Sequence, residues 1–191
     1  MPRTIEIVGY RSDWPKEFTE IAARLRMALG DFALRIDHIG STAVPGLAAK
    51  DVIDVQITVA ELDTSIETAM RELGYSRLPV GAGDHRPPQA DGPDTDWQKW
   101  FFIAPPKQRR TNTHMRVRGR PNQRYPLLFR DYLRAHPKTA TAYARLKRQL
   151  AENLADPETY PDGKDPAVDL IYCAAEAWAL RTQWQSGPSD G

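Results

Sequence analysis

The stretch HIGSTAVPGLAAKDVIDVQITV, His38 to Val59, sets a Gly40–Ser41–Thr42 turn ahead of Lys50, Asp54 and Gln56. A Gly-Ser-Thr turn leaving a strand presents backbone N–H groups and two hydroxyls, which suit phosphate oxygens. Gly40, Ser41 and Thr42 are therefore candidate phosphate-binding residues, and Lys50 would bring an ammonium to the same oxygens. Asp54 is a carboxylate in mid-strand, where β-propensity disfavours it. It reads as a metal ligand or general base, or else as a residue of a solvated face paired with Lys50 or an arginine.

Strand periodicity sorts these residues. Ile53, Val55, Ile57 and Val59 form one apolar face, while Asp54, Gln56 and Thr58 point the other way. Asp51 has the opposite parity to Asp54 and sits at the strand entry, so the two acids are not automatically a pair. The segment TNTHMRVR repeats the pattern, with Asn112, His114, Arg116 and Arg118 on one face. Arginine suits bidentate phosphate contacts, and His114 would serve as metal ligand, general base or hydrogen-bond donor if this strand neighbours that of Asp54. An exposed edge strand kept soluble by its charges is the alternative. The helix-borne Arg124, Arg130, Arg134, Arg145 and Lys147 read as solvated charges. His38, with Leu34 and Ile36 on its face, reads as a hydrogen-bonded structural histidine. Asp84, Asp91, Asp94 and Asp96 fall in a Gly/Pro/Asp-rich loop over 80–96, as loop solubilisers or a spare carboxylate for a metal.

The elements that must position these groups follow from periodicity. A helix is expected over 15–29, with proline in its first turn and a stripe of Phe18, Ile21, Ala22, Leu25 and Leu29. Strands follow at 33–39 and 52–60, then a helix over 62–73 closed by Gly74. Strands at 97–104 and 111–118 flank a basic turn and predict a hairpin. Helices are expected over 122–135, 137–154 and 166–185. The fold class is α/β (α+β): a mixed sheet with packed helices and a helical C-terminal part, one domain over 1–185 with a flexible tail at 186–191.

Composition limits the partners. The 191 residues carry a net charge of +1, which gives no signal for a nucleic-acid partner. No apolar run approaches a membrane span and the first residues lack a signal-peptide core. Cys173 is the single cysteine, which points to a reducing, cytoplasmic setting and, from its apolar helical surroundings, to a buried structural thiol.

The segments DHIGSTAVPGLAAKDVIDVQITV, NTHMRVRGRPNQRYPLLFRDYLRAHP and AYARLKRQLA, with the opening VGYRSDWPKEFTEIAARL, resemble the GrpB-like family. The resemblance covers most of the chain. It implies a nucleotidyltransferase-like fold and likeness to the domain fused behind some bacterial dephospho-CoA kinases; no P-loop ending in GK[ST] occurs here. It carries Gly40 and Ser41 onto the superfamily's phosphate turn and Asp54 onto its first carboxylate. The chain departs from the pattern at Gln56, where a second acid is usual, and His114 stands in place of a third.

The expected function is binding of a nucleotide or other phosphorylated small molecule with Mg²⁺, followed by nucleotidyl transfer. Asp54 and Gln56 would hold the metal, with Asp54, His114 and Lys50 catalytic and Arg116 and Arg118 neutralising phosphate charge. The alternatives are a non-catalytic nucleotide- or partner-binding domain, or an enzyme using His114 for another small-molecule reaction. Sequence leaves the oligomeric state open.

Overall fold

A computed structural model describes residues 5–79, 83–88, 90–154, 156 and 159–191. Residues 80–82 and 89 of the predicted loop lie outside them. Helix α1 (Trp14–Leu29) buries the expected stripe of Phe18, Ile21, Ala22, Leu25 and Leu29, with Trp14 added at its start. Strands β1 (Arg35–Ile39) and β2 (Ile53–Val59) follow, then α2 (Thr64–Glu72), a short β3 (Ser76–Leu78) that periodicity did not signal, and the hairpin β4 (Trp100–Ile103) and β5 (Thr111–Val117). The C-terminal part is α3 (Pro121–Ala135), α4 (Pro137–Asn153) and α5 (Tyr160–Thr182).

The five strands form one mixed sheet in the order β1-β2-β5-β4-β3. β2 and β5 run parallel at its centre, and the other neighbours are antiparallel. The apolar face of Ile53, Val55, Ile57 and Val59 packs with Met115 and Phe102 against α1 and α2. A second core fills α3–α5, where Leu128, Leu133, Tyr143, Ala144 and Ala175 receive Val44, Leu47 and Ala48 from the loop between β1 and β2. That loop is therefore an anchor: burying these side chains fixes the Gly40–Ser41 turn against the helical layer.

Three sequence expectations need correction. α5 starts at Tyr160, not 166, and runs through Pro166. A proline past the first turn costs an intrahelical hydrogen bond, but the stripe Val168, Tyr172, Ala175 and Ala179 buries against α3 and α4 and outweighs it. Cys173 lies on the exposed side of that helix rather than in the core. The tail is docked along the free edge of β1. Gly191 N donates to Ile36 O at 3.0 Å, Ser189 Oγ accepts from Ile36 N at 2.9 Å, and Asp190 Oδ2 accepts from His38 N at 3.0 Å. An edge strand has unpaired backbone groups, and these Ser and Asp side chains satisfy them.

Candidate functional site

The register of β2 and β5 assembles one polar face. Asp54 pairs with Asn112, Gln56 with His114 and Thr58 with Arg116, while β1 adds Asp37 opposite Gln56. His114 therefore shares the face of Asp54 and Gln56. The face is covered by α3, to which Gln56 Nε2 donates at Gln123 O (2.9 Å).

At one end lies the glycine turn. Gly40 adopts φ 71°, ψ −169°, and a Cβ there would strike the Asp54 Oδ2 and come within 2.9 Å of its Cβ and Cγ. Only glycine fits, both for its backbone region and for the carboxylate pressed against it. Gly40→Ala is expected to lower stability by about 2–4 kcal/mol from backbone strain and overpacking, read from urea unfolding.

Ser41 meets a residue that sequence reasoning set aside as a solvated charge. Lys147 on α4 is 3% exposed, and its ammonium donates to Ser41 Oγ at 2.7 Å and Ala48 O at 2.6 Å. The signal was present in the periodicity: α4 buries Ala140, Tyr143, Ala144 and Lys147, so the lysine occupies the apolar stripe. Desolvation pulls Lys147 down to about 7, with Lys164 and Arg148 adding to the shift and Asp54 opposing it. Lys50 is also lowered by burial, then by Lys164 and Arg110, and its ammonium sits 3.9 Å over the Tyr160 ring. Lys147, Lys50 and Lys164 thus all act on Asp54, and Lys164 also pairs with Asp165 at 3.4 Å. Asp54 itself is raised by burial, opposed by the Asn112 hydrogen bond (2.9 Å) and by the charges of Lys164, Lys147 and Arg116.

Along the same face a buried ion network takes over. Arg116, 4% exposed, donates to Gln56 Oε1 at 2.8 Å and forks onto Asp84 through Nε (2.7 Å) and Nη2 (2.8 Å). Lys99 and Asn122 complete the shell of Asp84. Burial works to raise the Asp84 carboxyl, but Arg116 and then Lys99 outweigh it and hold it well below the usual carboxylate range. Burial, then Arg116 and Lys99, keep His114 neutral by pushing it well below its ordinary value. Its ring packs at 5.0 Å on Phe101, and its Nδ1 is buried with no partner among the described residues.

This geometry revises several expected roles. Arg116 faces the sheet's interior chemistry, and its guanidinium is committed to Asp84 and Gln56 rather than open to a phosphate. Gln56 has both ends of its amide engaged, so its oxygen is not available to a metal. Thr42 is buried, and its Oγ1 is engaged with His38 Nε2 at 3.0 Å. His38 is the structural histidine expected, stacked on Phe18 and held neutral at about 3, chiefly by desolvation and then by Arg134 and Arg130. Arg118 is exposed beyond the far end of β5, six residues along from the partner of Asp54 and so about 20 Å from the glycine turn. Asp51 binds Trp14 Nε1 at 2.8 Å and the guanidiniums of Arg11 and Arg109, tying the start of β2 to α1.

Among the described residues no group of three or more His, Cys, Asp or Glu side chains could hold a metal ion. Asp54 is the one carboxylate at the turn, the neighbouring amide is occupied, and lysines surround it. These residues do not fit a two-metal centre, which needs hard anionic oxygens to offset two divalent charges.

Comparison with known proteins places this geometry. The model of the GrpB protein family matches residues 4–173. The chain belongs to the GrpB family. A dephospho-CoA kinase of Mycolicibacterium paratuberculosis is 38% identical over 196 residues, covering 95% of this GrpB chain and 48% of the relative. The UPF0157 protein YqkA of Bacillus subtilis is 34% identical over 179 residues, covering 92% and 48%. The GrpB chain spans about half the length of these curated relatives. The crystal structure of the conserved protein GrpB from Enterococcus faecalis aligns with TM-score 0.74 at 27% identity, over 94% of this chain and 100% of that one. Cid1 in complex with its short product ApU aligns with TM-score 0.51 at 14% identity, over 75% and 42%. The GrpB fold is thus nucleotidyltransferase-like, a mixed sheet with a helical C-terminal part. Among the described residues no helix is long and apolar enough to cross a membrane.

Proposed function

We propose that the Gly40–Ser41 end of the polar face binds the phosphate group of a nucleotide or another phosphorylated small molecule. The observation that carries this reading is Lys147: a buried ammonium bonded to the Ser41 hydroxyl, with no ion-paired carboxylate among the described residues, beside Lys50 and Lys164. A desolvated ammonium without an ion-pair partner lacks a compensating negative charge, and a phosphate supplies it. Ser41 and the backbone of the turn orient the phosphate oxygens, Lys147 and Lys50 neutralise them, and Gly40 lets the chain approach closely. The reading needs no resident Mg²⁺, because the expected pair of Asp54 and Gln56 does not make a metal site.

Calorimetric titration with nucleoside triphosphates, in EDTA and again in Mg²⁺, tests it. Binding in EDTA supports phosphate recognition by the protein's own cations; binding that appears only with Mg²⁺ contradicts it. The Lys147 shift adds a pH dependence. Its folded value lies below the 10.5 of a free lysine, so the ammonium is charged below about 7 and neutral above. Phosphate affinity is expected to fall as pH rises through that value in titrations from pH 6 to 9. Stability moves the other way: the unfolded chain binds more protons between about 7 and 10.5, so unfolding free energy rises with pH across that window.

Nucleotidyl transfer is the second reading, favoured by the position of Asp54 against the glycine turn on a nucleotidyltransferase-like fold. Release of pyrophosphate from a nucleoside triphosphate, lost in Asp54→Asn, would raise it above simple binding. Unchanged nucleotide over hours at high protein concentration leaves the domain as a binding module.

A further inference from the structure

We propose a second ligand site, distinct from the glycine turn, in a cleft of about 720 Å³ between the end of β5, the first turn of α3 and helix α5. Its volume falls in the range of small-molecule sites. It opens at Gly119, in the turn that follows β5, whereas Gly40 lies against Asp54 at the opposite end of the paired strands. The buried Gln56–Arg116–Asp84 network stands between the two. One small molecule therefore does not fill both, and this site stands whether or not the phosphate reading does.

The lining defines the ligand. Trp97, Tyr172, Trp184 and Leu127 supply flat apolar walls. Trp97 is 3% exposed, yet its indole N–H is buried without an acceptor among the described residues. A buried donor left unpaired costs about 1–3 kcal/mol. Arg120 caps α3, and no side chain caps the helix's first turn. Its guanidinium donates to Thr95 O at 2.8 Å and meets no carboxylate among the described residues. The positive end of a 15-residue helix adds to that uncompensated charge. The carboxylates present do not cancel it: Glu176 is taken by Arg124 and the Tyr172 hydroxyl, and Asp91 is exposed to water. An arginine without a carboxylate partner and the positive end of α3 both favour an anion, beside aromatic walls. The chemistry they fit is a small aromatic carboxylate, with its ring on the tryptophans and its anionic end on Arg120.

Isothermal titration of the whole chain with indole-3-acetate tests this, with indole-3-acetamide as the uncharged twin and phenyl phosphate as the alternative anion. The site predicts that the acid binds at least tenfold more tightly than the amide and more tightly than phenyl phosphate. Arg120→Met should weaken the acid at least tenfold and Trp97→Phe severalfold, with thermal melts confirming the fold; if Arg120→Met does not fold, Trp97→Phe carries the test. Lys147→Met, at the other site, should leave this affinity unchanged. No heat at millimolar acid, equal binding of acid and amide, a preference for phenyl phosphate, or loss of binding in Lys147→Met would each overturn the proposal.

Discussion

Asp84→Ala lowers the stability of the folded chain by about 3–5 kcal/mol, the expected cost of stranding a buried charge. Arg116 is buried in the sheet's polar face, and two of its nitrogens rest on this carboxylate. Lys99 and Asn122 converge on it too. With the carboxylate gone, a guanidinium stays in low dielectric with only the Gln56 oxygen for company. Urea unfolding reads the loss. The double variant Asp84→Ala, Arg116→Met recovers much of it, because removing both partners of a buried pair is far less costly than removing one. A loss below about 1 kcal/mol in the single variant would show that water reaches Arg116 and that the network does not hold the loop to the sheet. The sign in acid follows from the same contact. A carboxyl held below its ordinary value stabilises above about pH 4 and loses that contribution as pH falls through the folded value.

Lys147→Met has its large effect on binding. Affinity for a nucleoside triphosphate is expected to fall about 100-fold, equivalent to about 2.7 kcal/mol, while stability stays within about 1–2 kcal/mol of the parent. The two effects separate because the ammonium is desolvated and pulled down to about 7 in the folded chain. Methionine keeps the unbranched packing on the α4 stripe and removes the charge. It leaves the Ala48 carbonyl without its donor, a cost that the relief of burying an ammonium offsets. Equal affinity in the two proteins would mean that phosphate is held elsewhere.

Much of the fold was legible because its signals are local. Alternation in Val52–Val59 and Thr111–Arg118 located β2 and β5 and told which side chains share a face. The stripe of α1 and the proline–glycine punctuation did the same for helices. What stayed hidden depends on contacts far apart in sequence. Nothing near Gln56 says that Arg116 will occupy its oxygen, and nothing in the loop around Asp84 says that one of four aspartates is drawn onto Arg116 and Lys99 while Asp91 and Asp94 stay exposed. Arg118 shares strand parity with Arg116 and His114, yet parity carries no information about which end of a strand a site occupies. The tail is composed like a frayed end, and only the open edge of β1 gives Ser189 and Asp190 their partners. Lys147 is the instructive case. Its position on a stripe with Tyr143 and Ala144 marked it as buried, and a buried lysine calls for an anion.

The most direct test is a crystal soaked with a nucleotide and Mn²⁺, viewed by anomalous scattering. Phosphate density against Ser41 and the Lys147 ammonium, with Arg116 still on Asp84 and Gln56 and no Mn²⁺ bridging Asp54 and Gln56, is the result this account predicts. Mn²⁺ density shared by Asp54 and Gln56, with the Arg116 guanidinium displaced, would contradict it.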